Sequence, residues 1–147
     1  MGTATGTPVL PVDSSADVQD AKGNNVSQVE MIDPRDLDEN MMISTDELIR
    51  FYAQTYGVKE TSMIATLRCE SEFKHDGIYG DNGKAYGIAQ FHEATFNEFK
   101  DRAEMPGLDY KSMEDQIQLM AWAFANNSAY HWTCWRKYKA KQIALAN

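Results

Sequence analysis

Hydrophobic residues recur at helical spacing in the chain after residue 43. Leu48, Phe51 and Tyr52 share one face of a helix that begins at the capping-box sequence Ser-Thr-Asp-Glu of residues 44–47. In the stretch 113–126, apolar residues occupy positions i, i+3, i+4 and i+7. This spacing is typical of a helix that packs on a core. Both stretches therefore predict amphipathic helices.

Three further helical segments follow from the same pattern. They lie near residues 60–73, from residue 92 to just before Pro106, and at the basic C-terminus, with a short helix or turn around residues 130–135. Between the second and third helices, residues 74–87 are rich in Gly, Asp and Asn, which favours loops or a small irregular hairpin. The predicted fold class is mainly α, with a little strand at most.

The first part of the chain has a different composition. Residues 1–43 are poor in aromatic residues and rich in Gly, Ser, Thr, Asp and Asn, so they bury too little apolar surface to offset their ordering entropy. We predict a flexible tail or linker at 1–43 and a single domain at 44–147. A length of 147 residues with 43% hydrophobic side chains suits one compact domain plus a tail.

Charge and hydropathy exclude some classes of partner. The net charge of −8 argues against nucleic acid, whose binding depends on lysine and arginine neutralising phosphates. No run of eighteen apolar residues is present, so no membrane span is predicted. The first fifteen residues lack the basic and apolar regions of a secretory signal, and we favour a leader that was trimmed over export by another route.

Two cysteines, Cys69 and Cys134, leave two alternatives open. They form one disulfide in an oxidising compartment, which we favour, or they are two buried thiols. A disulfide closing a loop of this length would stabilise the fold by roughly 4 kcal/mol on the chain-entropy model.

Glu70 is the acidic residue with the clearest chemical potential. It falls at the C-terminal end of its predicted helix, where the helix dipole disfavours ionisation, and Leu67, Phe73 and Ile88 are candidates to desolvate it. Both effects predict a raised pKa for the Glu70 carboxyl. A carboxyl that stays protonated near neutral pH can give its proton to the leaving oxygen of a glycosidic bond. On spacing alone, a surface glutamate at a helix end is the more common explanation.

Residues 70–91 resemble the catalytic motif of soluble lytic transglycosylases and goose-type lysozymes, which belong to the lysozyme-like superfamily. The motif combines E-S-x-F with a glycine-rich loop and G-x-x-Y-G-I-x-Q-F. The matching residues are Glu70, Ser71, Phe73, Gly83, Tyr86, Gly87, Ile88, Gln90 and Phe91. The similarity covers about residues 45–135. R-C-E-S at 68–71 and W-T-C-W at 132–135 also resemble compact bacterial lysozyme-like proteins in which such cysteines pair.

The resemblance implies a lysozyme-like α+β fold in which the small loop or hairpin region lines a glycan cleft. Glu70 would be the general acid, Ser71 would support its helix end, and Gly87–Phe91 would form the cleft floor, with Ile88 and Phe91 among its residues. The Gln90 amide would bind sugar substituents or, equally, satisfy the core. Tyr86 and Tyr130 are the aromatic residues expected to stack on sugars in the cleft.

The resemblance also bears on the type of reaction. Asp81 matches one acidic position of goose-type lysozymes, but the second acidic position is His92 here. Because this pair is incomplete, we favour a lytic transglycosylase acting on the MurNAc–GlcNAc β-1,4 bond of peptidoglycan over a muramidase. A non-catalytic glycan-binding wall protein is the alternative from another class. For Asp81 itself, a loop-capping role is favoured over catalysis.

No metal or other cofactor is expected, because His75, His92 and His131 lack ligand spacing and the Asp76 loop lacks the acidic positions of a calcium site. Lys137 and the neighbouring C-terminal lysines are expected to form a solvated face. The expected partner is the peptidoglycan glycan strand, bound by a monomer in an extracellular or periplasmic, wall-associated location.

Overall fold

The structure is a computed structural model that describes residues 43–146. The predicted tail at 1–43 lies outside the described residues apart from Ile43, as does Asn147.

Five α-helices account for most of the described chain. They are α1 Thr45–Tyr56, α2 Glu60–Ser71, α3 Glu93–Arg102, α4 Met113–Ala125 and α5 Thr133–Ala146, and a short 3-10 helix at Ala129–His131 precedes α5. The predicted mainly α fold class is confirmed.

The start of α1 follows from its first four residues. The Ser44 hydroxyl accepts a hydrogen bond from the Glu47 N–H, and the Glu47 carboxylate accepts one from the Ser44 N–H. This arrangement is the predicted capping box. Gly57 ends the helix in the left-handed conformation, with φ of +72°.

The glycine-rich region forms a small antiparallel sheet between α2 and α3. Its strands are β1 Tyr79–Gly80, β2 Ala85–Tyr86 and β3 Phe91–His92, in that order. Tyr79 pairs with Tyr86 and Tyr86 with Phe91, whereas Gly80 pairs with Ala85 and Ala85 with His92. Since side chains alternate across a sheet, these two rows lie on opposite faces. The predicted irregular hairpin is thus β1–β2, and β3 extends it.

A single apolar core joins these elements. Its fully buried side chains come from α1, α2, α3 and α4 and from the segment after β2, and they include Tyr52, Leu67, Ile88, Phe96, Phe99, Ile117 and Met120. α1 packs against α2 and α4, and α2 also packs against α5. The core therefore fixes the last turn of α2 relative to the sheet.

A disulfide joins α2 to α5. Cys69 and Cys134 are bonded across a sequence separation of 65, and their Cα atoms lie 5.9 Å apart. The favoured alternative of a disulfide is confirmed, and the alternative of two buried thiols is wrong. Within residues 43–146, no helix combines the length and the apolar character that crossing a membrane requires.

Candidate active site

A cleft of about 630 Å³ lies between the small sheet and the ends of two helices. Its helical wall consists of Glu70, His131, Trp132, Thr133, Cys134 and Lys137. Its sheet wall consists of residues of the small sheet and its turns, Asp81, Ala85, Gln90, Phe91 and His92, and Thr95 of α3 adjoins them. The volume is in the range of sites that bind small ligands or segments of a polymer.

Glu70 reaches this cleft because α2 stops abruptly after it. Glu72 and Phe73 follow with φ of +58° and +63°, both in the left-handed region that ends a helix. The Glu72 N–H closes the last turn on the Arg68 carbonyl at 3.0 Å. Glu70 therefore lies in the last turn of α2, as predicted.

The surroundings of Glu70 favour its protonated form. Burial in the cleft raises the pKa of the half-buried Glu70 carboxyl above its ordinary value. The main-chain N–H of Cys134 and the positive charge of Lys137 lower the pKa of Glu70, but by less than burial raises it. The net direction agrees with the prediction from the sequence.

Ser71, the next residue, is buried and does not line the cleft. Its hydroxyl lies 2.7 Å from the Ile88 carbonyl oxygen and 3.2 Å from that of Leu67, and it donates to both. Ser71 thus ties the end of α2 to the segment Gly87–Phe91.

Gly87 and Ile88 are also buried, and neither lines the cleft. Gly87 has φ of +86°, and a β-carbon there would lie 2.7 Å from both His75 Cε1 and Gln116 Nε2. A glycine is therefore required on two counts, backbone conformation and space. Ile88 has no exposed surface and belongs to the core.

Two buried polar side chains hold this segment in place. His75 Nδ1 accepts a hydrogen bond from the Ile88 N–H at 3.0 Å. Gln116 accepts one from the Ala89 N–H at 2.9 Å and donates to the Tyr86 carbonyl at 3.0 Å. The backbone polar groups of the segment are therefore paired within the protein, which makes the segment a rigid support.

Gln90 and Phe91 line the cleft. The Gln90 amide nitrogen donates to the carbonyls of Gly87 at 2.9 Å and Ile78 at 3.2 Å, which accounts for both of its protons. Toward a ligand, Gln90 can therefore act through its side-chain oxygen, as an acceptor. The Phe91 ring packs edge-on against Trp132, at 5.2 Å between ring centroids.

The two tyrosines expected in the cleft do not line it. Tyr86 is buried, in the sheet row opposite that of Ala85 and His92, where its ring contacts Tyr79 and Tyr110. Tyr130 is 56% exposed and stacks on His131, with ring centroids 4.7 Å apart. His131 belongs to the helical wall, so Tyr130 lies next to the cleft.

Asp81 and His92 meet on the sheet wall. His92 Nε2 lies 2.8 Å from the Asp81 carboxylate, and both side chains are about half exposed. Asp81 sits in the β1–β2 turn with φ of +52°, and His92 is the residue that precedes α3. His92, which stands where goose-type lysozymes have a second acidic residue, therefore contacts the carboxylate of Asp81.

Several residues of this site were not predicted from the sequence. Trp132 donates its indole N–H to the Ala89 carbonyl at 2.8 Å, and so connects the two walls. In the sequence, the indication that Trp132 belongs to the site is its position in W-T-C-W. Lys137 lines the cleft although it was assigned to a solvated face. His75 and Gln116 carried no sequence signal for their supporting roles. Among the described residues, no group of three His, Cys, Asp or Glu side chains is arranged to hold a metal ion.

A helical domain with a protonatable glutamate in a cleft beside a three-stranded sheet defines the lysozyme-like class. The family model described as phage tail lysozyme matches residues 51–146, and the chain belongs to this family. Membership indicates a lysozyme-like glycosidase that cleaves peptidoglycan. No curated protein and no solved structure matches the chain.

Proposed function

We propose that this protein is a lytic transglycosylase that cleaves the MurNAc–GlcNAc β-1,4 bond of peptidoglycan, with Glu70 as its acid and base. The observation that carries the proposal is the position of Glu70. It is half-buried in a cleft, its pKa is raised by burial, and the chain belongs to the phage tail lysozyme family.

In the first step, protonated Glu70 gives its proton to the glycosidic oxygen. The bond between that oxygen and C1 of MurNAc breaks, and GlcNAc leaves with a 4-hydroxyl group. The raised pKa supports this step because it keeps the acid form populated at higher pH than an ordinary glutamate would.

In the second step, the Glu70 carboxylate takes the proton of the C6 hydroxyl of MurNAc. The C6 oxygen then bonds to C1 and closes a 1,6-anhydro ring. Glu70 ends the cycle protonated, and no water is consumed. The Cys134 N–H and Lys137 stabilise the carboxylate that exists between the two steps.

The Asp81–His92 pair favours this reaction over hydrolysis. Among the described residues, Glu70 and Asp81 are the carboxylates that line the cleft. An inverting hydrolase needs its second carboxylate to activate water. Here one Asp81 oxygen is already bound by His92 at 2.8 Å, and the Asp81 side chain is about half exposed. Glu70 can carry out transglycosylation alone.

Muramidase activity is the second candidate, because Asp81 does line the same cleft as Glu70. In that reaction Asp81, oriented by His92, would hold the attacking water.

Both candidates act on the cell wall, and the disulfide and the family support action outside the cytoplasm, in the periplasm or beyond. We further propose that residues 44–147 form the catalytic domain and act as a monomer.

Digestion of purified sacculi followed by mass analysis of the fragments tests this function. We expect 1,6-anhydromuramic ends, whereas reducing muramic ends would identify a muramidase.

Glu70→Gln should lower the rate of cleavage by about 10²–10⁴-fold, since it removes the acid and base but keeps the size of the side chain. Glu72→Gln is the matched control, because Glu72 is two residues away and its side chain is 76% exposed. Wall cleavage by Glu70→Gln at the wild-type rate would refute the role of Glu70.

Asp81→Asn separates the two candidates. A transglycosylase that uses Glu70 alone should keep its rate within about tenfold, whereas loss of a water-activating base costs on the order of 10²-fold or more. A large loss together with reducing-end products would replace the first candidate by the second.

A further inference from the structure

Cys134 makes two separate connections to the neighbourhood of Glu70. Its sulfur is bonded to Cys69, the residue directly before Glu70. Its main-chain N–H is near enough to the Glu70 carboxyl to lower the pKa of that group, and both residues line the cleft. The same residue of α5 is thus bonded to the backbone beside Glu70 and lies next to its carboxyl.

Cys134 lies in the first turn of α5, where main-chain N–H groups have no partner within the helix. These groups and the helix dipole favour a negative charge. Thr133 and Lys137, from the same end of α5, line the cleft beside Glu70. The N-terminal end of α5 therefore lies next to the Glu70 carboxyl and favours its charged form.

α5 packs against α2 at the surface of the protein. None of its residues, Thr133–Ala146, is fully buried. At its start, the preceding residue Trp132 is buried, and Trp135 packs partly against the core. A covalent bond to α2 at this point therefore adds to the packing that fixes the start of α5.

The disulfide lies at the surface of the protein, and Cys134 also lines the cleft. Cys69 is exposed, and Cys134 is half-buried. A thiolate needs access to a disulfide sulfur in order to attack it.

We propose that Cys134 is a positioning residue for Glu70, and that the Cys69–Cys134 disulfide makes glycan cleavage dependent on oxidation. The inference rests on the proposed function. A small dithiol attacks the bond, forms a mixed disulfide, and closes to its own cyclic disulfide. Two electrons and two protons pass to the protein, which leaves two thiols. The start of α5 then moves away from Glu70, and the enzyme loses activity.

The test measures cleavage of sacculi by the oxidised protein before and after treatment with dithiothreitol. We expect a loss of about 10–100-fold, the size that a displacement of roughly 1 Å in a catalytic group can cause. Removal of the dithiol and reoxidation should restore the rate. Cys69→Ala/Cys134→Ala is the matched control, and it should be slow from the start and insensitive to dithiothreitol.

A second measurement does not depend on turnover. The Glu70 carboxyl is titrated by NMR in the oxidised and reduced protein. Because burial is the largest cause of its raised pKa, release of α5 should move the pKa of Glu70 down toward its ordinary value. The basic limb of the pH–activity profile should move the same way.

The outcomes separate the two claims. If oxidised protein cleaves no peptidoglycan, the proposed function fails, and the titration still decides whether the disulfide positions Glu70. Equal rates and equal titrations in both redox states would overturn the inference. So would a loss of activity that coincides with loss of the folded circular dichroism spectrum, since the bond would then be purely structural.

Discussion

The two walls of the cleft differ in what they do with their polar groups. In the sheet wall and the segment behind it, polar groups form hydrogen bonds within the protein, through His75, Gln116 and the amide of Gln90. The helical wall directs them at Glu70, through the Cys134 N–H and the charge of Lys137.

The sheet wall therefore supports the cleft, whereas the helical wall acts on the carboxyl of Glu70. The motif that stands out in the sequence, Gly87–Phe91, belongs mostly to the support, since Gly87 and Ile88 are buried behind the cleft surface. The two groups that lower the pKa of Glu70 come from α5, about sixty residues later in the chain than Glu70. A motif can therefore mark a site whose chemistry is completed by residues outside it.

The largest effect is expected at Gly87, on the supporting side. Gly87→Ala should destabilise the fold by about 3–5 kcal/mol, because the added carbon meets His75 and Gln116 and the backbone is left-handed. Gly83→Ala is the matched control. Gly83 has the same φ of +86° but no atom within 4 Å of the added carbon, so it should cost only about 1–2 kcal/mol. Urea denaturation measures both, and equal losses would show that packing behind the cleft contributes nothing.

A smaller effect is expected at Trp132, where the walls meet. Trp132→Phe removes the N–H that donates to the Ala89 carbonyl and should cost about 1–3 kcal/mol, since it leaves a buried acceptor unpaired. Trp135→Phe is the control, because Trp135 is only half-buried and packs on Phe124. Thermal unfolding compares them. A larger loss for Trp135→Phe would mean that the hydrogen bond does not join the walls.

Lys137→Gln tests the helical wall alone. Lys137 lowers the pKa of Glu70, so its removal should raise that pKa and move the basic limb of the pH–activity profile to higher pH. The maximal rate should stay within about threefold, as expected for an exposed charge. Lys139→Gln, an exposed position on the same helix, should leave the profile in place. A shift of equal size in both variants would point to net charge rather than to the position of Lys137.

The smallest effect is on stability and comes from Glu70 itself. The folded state raises the pKa of Glu70, so it binds that proton more tightly than the unfolded chain does. The resulting stabilisation is fully present below the ordinary pKa and is lost as pH rises through the raised value. Glu70→Gln cannot ionise, so its stability relative to wild type should increase across that pH range. Because Glu70 is partly exposed, the gain in melting temperature at neutral pH should be small, and an unchanged difference between acidic and neutral pH would contradict it.

Local patterns predicted the elements of the fold and indicated Glu70 as the candidate acid, but they did not predict the contacts of the site. The Ser44 capping box, the helix at 113–126 and the hairpin near residues 79–86 depend on neighbours in sequence, so they were predictable. The raised pKa of Glu70 was predictable in direction. Tyr86 was expected in the cleft because of its position in the motif, but its ring is buried against Tyr79 and Tyr110, and the contact with Tyr110 depends on tertiary packing.

The sequence by itself determined the helical class, the family resemblance and the identity of the candidate acid, because short-range periodicity and motif spacing encode them. Tertiary structure decided that Cys69 and Cys134 pair, that His92 binds Asp81, and that the start of α5 lies against Glu70. Each of these is a contact between distant residues, fixed by how helices and strands pack on one core. Such contacts set the electrostatic environment of a carboxyl, and the local sequence pattern does not encode them.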